Sequence, residues 1–152
     1  MTEFKVWRSI VDWVEDYGGR VIAACPPGSS VYAYKKFCLI DPVTGKRDEP
    51  DILLLWRNVL YFVECKPSLR GICAKGRKAG SDESDIDKLL RIETAYHEHH
   101  YDKQLLENYG VNVNCFQMRI GVGYASQKES HDVMNGIRDC PKNCVNLHSS
   151  VE

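Results

Sequence analysis

Apolar residues recur at Phe4, Trp7, Val11 and Val14 across residues 3–17, a helical spacing, and Gly18-Gly19 follows as a left-handed stop. The chain is therefore predicted to open with an amphipathic helix whose stripe needs a sheet to cover. Residues 20–25 read as a short strand ended by Pro26-Pro27-Gly28. Residues 31–40, aromatic and β-branched, read as a full strand, followed by a turn holding Asp41-Pro42 and Thr44-Gly45. Residues 51–56 and 59–66 are apolar on both faces and are separated only by Arg57-Asn58, which predicts a tight hairpin in a sheet covered on both sides. Pro67 ends that ladder.

Beyond it, residues 68–80 turn to Gly, Lys and Arg, and the acidic stretch 81–87 opens one long helix running to about Asn108, with Gly110 after it. Ile86, Leu89, Leu90, Tyr96 and Leu105 form its expected inner face. Residues 111–125 read as a strand, and 126–140 as a short helix with a capping box at Ser126 and Glu129. Residues 144–148 read as an edge strand. Helix, strands, hairpin, helix, strand is an α/β order: a mixed sheet with a central antiparallel hairpin, flanked by helices.

At 152 residues and 43% hydrophobic content, the chain fits a single domain over residues 1–152. A net charge of -1 excludes a uniformly basic body, so a polyanionic partner must be met by a local patch. No apolar run spans a bilayer and no signal pattern opens the chain, so no membrane partner and an intracellular location, cytoplasmic or nuclear, are expected. Seven dispersed cysteines, an odd number and mostly within apolar runs, suit a reducing compartment.

The hairpin carries the candidate chemistry. With Arg57 and Asn58 as the turn, Trp56 faces Val59 and, stepping outward, Asp51 faces Glu64. Opposed side chains in an antiparallel pair stand roughly 4.5–5.5 Å apart at Cβ, and like charges there are destabilising unless bridged. A divalent cation, Mg²⁺ or Mn²⁺, is the natural bridge, since Mg²⁺ needs one or two carboxylates with waters and substrate phosphate. Lys66 lies on the same strand face as Glu64, where its ammonium can hold an attacking water or the charge growing on a phosphate. Cys65 points to the other side and offers its main-chain carbonyl as a metal ligand. On the acidic face the neighbours are Leu53, Leu55, Leu60 and Phe62, so charge there needs a reason. The plain alternative is a strand-end salt bridge between Glu64 and Lys66, with Asp51 capping a turn.

Pro50-Asp51, an apolar strand, then Glu64-Cys65-Lys66 resembles the PD-(D/E)xK nuclease superfamily with its restriction-endonuclease-like fold. The flanking order also resembles that fold: a helix, a three-stranded antiparallel meander, a helix and a further strand. The resemblance implies that Asp51 and Glu64 bind metal and that Lys66 orients the nucleophile, on DNA more often than RNA. Some members add an acid from the first helix, for which Glu15 is the candidate here, with Glu3 and Glu49 as lesser rivals. Many relatives place a glutamine or lysine on the helix after the catalytic strand; Lys88 stands there, without a clear glutamine motif.

Arg70, Lys75, Arg77 and Lys78 lie among Gly71, Gly76 and Gly80 with no acidic residue between them, a composition suited to gripping phosphates and equally to a solvated loop. His97, His99 and His100 read as a polar helix face in preference to a second metal site. Cys140, Cys144 and His148 read as packing residues in preference to a zinc site. The expectation is an Mg²⁺- or Mn²⁺-dependent endonuclease on DNA, a homodimer if it cuts both strands of a duplex. The alternatives are a catalytically silent nuclease-like subunit binding nucleic acid or protein, and an RNA endonuclease with the same site.

Overall fold

The computed structural model describes residues 2–25, 34–67, 83–124 and the backbone of 144–146. Helix α1 (Glu3–Asp16) begins where the Thr2 side chain accepts the Lys5 N–H at 3.2 Å, and it stops where Gly18 takes φ of 83°. Val6, Trp7, Ile10, Val11 and Val14 are buried along one side of it. Strand β1 (Arg20–Ala24) follows, then a short antiparallel pair, β2 (Leu39–Ile40) with β3 (Arg47–Asp48), and the hairpin of β4 (Ile52–Trp56) and β5 (Val59–Cys65). Helices α2 (Asp85–His97) and α3 (Asp102–Tyr109), a 3-10 turn at Val113–Cys115, and strands β6 (Gln117–Gly123) and β7 (Cys144–Asn146) complete the order.

The main sheet runs β1-β4-β5-β6-β7. β1, β4 and β5 pair antiparallel; β6 joins β5, and β7 joins β6, in parallel. Period-two alternation sorts the strands onto two cores. Ile52, Leu54, Tyr61, Val63 and Cys65 meet α1, while Leu53, Leu60, Phe62, Ile120 and Val122 meet α2 and α3. With both faces covered, β5 is buried along nearly its whole length, as a run apolar on both faces requires. The chain is thus mixed α/β, and among the described residues no helix is long and apolar enough to cross a membrane.

The hairpin register follows the sequence to the residue. Trp56 pairs with Val59 and Ile52 with Val63, across a turn in which Arg57 (φ 51°) and Asn58 (φ 65°) are both left-handed. Arg57 stacks its guanidinium 4.4 Å above the Trp56 ring, which offsets part of the strain of a non-glycine there.

Three expectations need correction. The full strand over 31–40 is absent from its described part: residues 34–38 carry no strand, and only Leu39–Ile40 pair. Side chains of α3 supply what a neighbouring strand would have given. The Tyr109 hydroxyl accepts the Cys38 N–H at 2.8 Å and lies 3.1 Å and 3.0 Å from the Lys36 and Cys38 carbonyls, while the Gln104 amide binds both the N–H and the carbonyl of Ile40.

The single long helix is two, broken at His99, whose φ is 66°. A left-handed residue costs about 1–2 kcal/mol, but the break buries Tyr101 completely and brings His100 Nδ1 to 3.2 Å from Asp41 Oδ2. Burial of the ring stabilises by about 1.5–3 kcal/mol, set against a hydroxyl that has no hydrogen-bond partner among the described residues. The strand over 111–125 starts only at Gln117, after the 3-10 turn. The turn at 26–28, the helix over 126–140 and the end of the edge strand at 147–148 lie outside the described residues.

Candidate functional site

Asp51 stands one step beyond the last ladder pair of β4, and Glu64 is its counterpart on β5, at the end where the parallel strands β5 and β6 both terminate. Such carboxyl ends are where open sheets gather polar groups. Three contacts fix Asp51. Its carbonyl accepts the Trp7 indole N–H at 3.2 Å from α1 and the Cys25 N–H at 2.9 Å from the end of β1. Its Oδ2 accepts the Cys65 N–H at 2.7 Å, so the carboxylate lies across the end of β5.

Both acids are enclosed, at 9% exposure for Asp51 and 3% for Glu64. Burial pushes Asp51 up to about 7, against the opposing pull of the Cys65 N–H and with a further push from Glu3. Glu64 is held well above the usual carboxylate range by burial and then by the charge of Asp51. Lys88 of α2 reaches to 2.7 Å from Glu64 Oε1, an ion pair that works to lower the Glu64 pKa without overcoming burial and Asp51.

Lys66 lies just past the strand, 33% exposed, with its ammonium 3.5 Å from Glu3 Oε1 and 3.6 Å from Asp85 Oδ2. Those two acids are the first residues of α1 and α2, so two helix N-termini converge here and favour negative charge. Burial works to lower the Lys66 pKa, but Asp85, Glu3 and Asp51 outweigh it and raise it. The Cys65 thiol faces α1, as alternation requires, and burial beside Asp51 and Glu64 keeps it well above the ordinary thiol range.

Of the residues singled out from sequence, Asp51, Glu64, Cys65 and Lys66 gather at this strand end. Glu15 does not. It accepts the Val21 N–H at 3.3 Å and the Tyr34 hydroxyl at 3.4 Å, and twelve residues of helix separate it from Glu3, a rise of about 18 Å. Glu49 is taken by Arg47 and Lys36. Glu3, a lesser rival in the sequence, is the first-helix acid nearest the group.

Asp85 was missed, and Lys88 was noted without a role. Lys88 precedes the buried Ile92 by four residues, so it falls on the core-facing side of α2, and a charge there is the signal that marks it. The three histidines diverge: His99 binds Asp102 at 2.9 Å, His100 turns to Asp41, and His97 stacks edge-on against Tyr96. Arg70, Lys75, Arg77, Lys78, Cys140 and His148, and the side chain of Cys144, lie outside the described residues.

Among the described residues, no three His, Cys, Asp or Glu side chains converge on one point. The donor set at the strand end is a pair of carboxylates. A pair fits a hard divalent cation that keeps waters of its own, and does not fit a metal needing a full protein cage. Lys88 marks where positive charge is called for, and among the described residues four carboxylates gather with two ammonium groups. No family model, no curated protein and no solved structure matches the chain.

Proposed function

We propose that the chain is a metal-dependent nuclease that hydrolyses phosphodiester bonds, in DNA in preference to RNA, with Asp51 and Glu64 as the metal-binding pair and Lys66 beside the scissile phosphate. The observation that carries this reading is the pair of buried carboxyl groups at one end of a central hairpin, with the Lys88 ammonium against Glu64. Two buried acids of like sign are costly even with one ammonium and one N–H to offset them, and a cation bridging them would remove that cost.

A bound Mg²⁺ or Mn²⁺ would polarise the phosphate and lower the pKa of a coordinated water. The chain's own residues do the rest. The Cys65 N–H orients Asp51, and the apolar neighbours Leu53 and Phe62 keep bulk water from the acid pair. Lys66 holds Glu3 and Asp85 only through long, part-exposed contacts, which are weak, so its ammonium is free to turn to a phosphate oxygen when substrate arrives. The element order agrees with the restriction-endonuclease-like arrangement, an antiparallel meander followed by a parallel strand, and a second copy would be needed to cut both strands of a duplex.

The test is hydrolysis of duplex, branched and single-stranded DNA and of RNA with Mg²⁺ or Mn²⁺, beside Asp51→Ala, Glu64→Ala and Lys66→Ala. Cleavage that needs the metal and falls at least about a hundredfold in each variant is expected. A second reading, a nuclease-like binding subunit without cleavage, is favoured by one observation: Lys88 already neutralises Glu64. Metal-independent binding with no cleavage of any substrate would establish it.

A further inference from the structure

Lys88 is the fourth residue of α2, inside its first turn, where the helix dipole favours negative charge and disfavours an ammonium. Its place is explained from outside the helix. The ammonium stands 2.7 Å from Glu64 Oε1 on β5, with 20% of the Lys88 side chain exposed against 5% of the Glu64 side chain. Lys88 is therefore the outer member of the pair. Burial works to lower its pKa, but Glu64, Asp51 and Asp85 outweigh it and raise it, so the ammonium keeps its charge.

An ammonium and a divalent cation ask for the same carboxylate. A Mg²⁺ ligated by Glu64 Oε1 would lie about 2 Å from that oxygen, and so no more than about 5 Å from an ammonium that is itself 2.7 Å away. Like charges so close in a buried site repel strongly. Charge balance points to where the lysine goes. Among the described residues Asp51, Glu64, Glu3 and Asp85 gather with Lys66 and Lys88, and one divalent cation would make the group neutral. The arrangement that keeps the cations apart sets the metal on Asp51 and Glu64, Lys66 on Glu3 and Lys88 on Asp85. Asp85 precedes Lys88 by three residues on the same helix, a spacing at which side chains meet, and 22% of its side chain is exposed.

We infer that Lys88 is a latch on the metal site: it holds Glu64 in the metal-free chain and swings to Asp85 when a divalent cation binds the acid pair. The latch presupposes that Asp51 and Glu64 are the metal pair, and it changes what the contact between Lys88 and Glu64 means. A permanent ion pair would silence the site; a displaceable one sets the cation concentration at which the site fills. With Asp85 taken by Lys88, Lys66 loses one of its two carboxylates and is left freer to meet an anion.

Calorimetric titration of the chelator-treated full chain with Mn²⁺ tests it, on the wild type, Lys88→Gln, Lys88→Met and Lys66→Met. A latch closed about 90% of the time weakens the apparent affinity about tenfold, so both Lys88 variants should bind Mn²⁺ tighter than the wild type by about that factor. Lys66→Met removes a charge near the same acids without emptying Glu64, and should gain clearly less. A measurement on the wild type alone stands beside these. Its Lys88 ammonium protons, slow to exchange with water while held by Glu64, should exchange faster by NMR at saturating Mg²⁺. Equal Mn²⁺ affinity in the wild type and the Lys88 variants, an equal gain in Lys66→Met, or ammonium exchange unchanged by Mg²⁺ would overturn the latch and leave the metal reading standing. No saturable Mn²⁺ binding to any of these proteins would remove the metal site and the latch together.

Discussion

At Asp51 two influences oppose each other: the Cys65 N–H favours the charged carboxylate, burial disfavours it, and burial prevails, lifting the group to about 7. A carboxyl raised above its ordinary value binds protons more tightly folded than unfolded. The stability it contributes is complete below that ordinary value and is lost as pH rises through about 7. Asp51→Asn keeps an acceptor for Cys65 and cannot ionise. In metal-free buffer at pH 8 the variant should gain on the order of 2 kcal/mol in urea denaturation, with the gain vanishing near pH 4. A variant that unfolds more easily at pH 8 would show that the ionised group helps the fold.

Two devices hold the candidate site at the level of elements. The first is the hairpin turn, where Arg57 and Asn58 occupy conformations that suit Asn and Gly better. Replacing Arg57-Asn58 by Asn-Gly should preserve the register and raise the unfolding free energy in urea by about 1 kcal/mol, less the lost contact with Trp56.

The second device is the approach of α1 to β6. A Cβ at Gly123 would stand 2.1 Å from Ile10 Cδ1 and 3.4 Å from the Cys65 sulfur. Gly123→Ala should therefore cost about 1–3 kcal/mol by overpacking. Adding Ile10→Val, which removes the clashing methyl, should restore part of that loss. Thermal unfolding of the single and double variants reads both effects.

For the whole molecule, charge ties the outer pieces to the sheet. Arg91 of α2 donates to both oxygens of Asp48 in β3, at 2.6 Å and 2.8 Å, and also to Glu83. Asp48 is buried, so Arg91→Leu would strand its charge and should cost about 3–5 kcal/mol by urea denaturation. A loss below 1 kcal/mol would mean that Asp48 finds water or a proton instead. Asp41 plays a similar part between the β2–β3 turn and the α2–α3 junction. Burial works to raise its pKa, but the Val43 N–H and His100 outweigh it and leave it lowered. A lowered carboxyl stabilises above its ordinary value, and that stability is lost as pH falls through the folded value. Asp41→Asn should flatten the fall in melting temperature between pH 5 and pH 3.

The local pattern determined α1, the hairpin and its register, because a helix stripe and a period-two run each leave one way to bury apolar residues, and Arg57-Asn58 leaves one place to turn. That register alone puts Asp51 and Glu64 at one strand end. Tertiary structure decided what the pattern does not carry. The helix break at His99 has neither Gly nor Pro to announce it and goes with the burial of the Tyr101 ring and the reach of His100 to Asp41. The strand missing from 34–38 gave up its ladder to side chains of α3, which are some seventy residues away in the chain. Glu3, Asp85 and Lys88 join the site because the two helices begin over the same strand end, a convergence set by packing across both sheet faces and written in no local spacing.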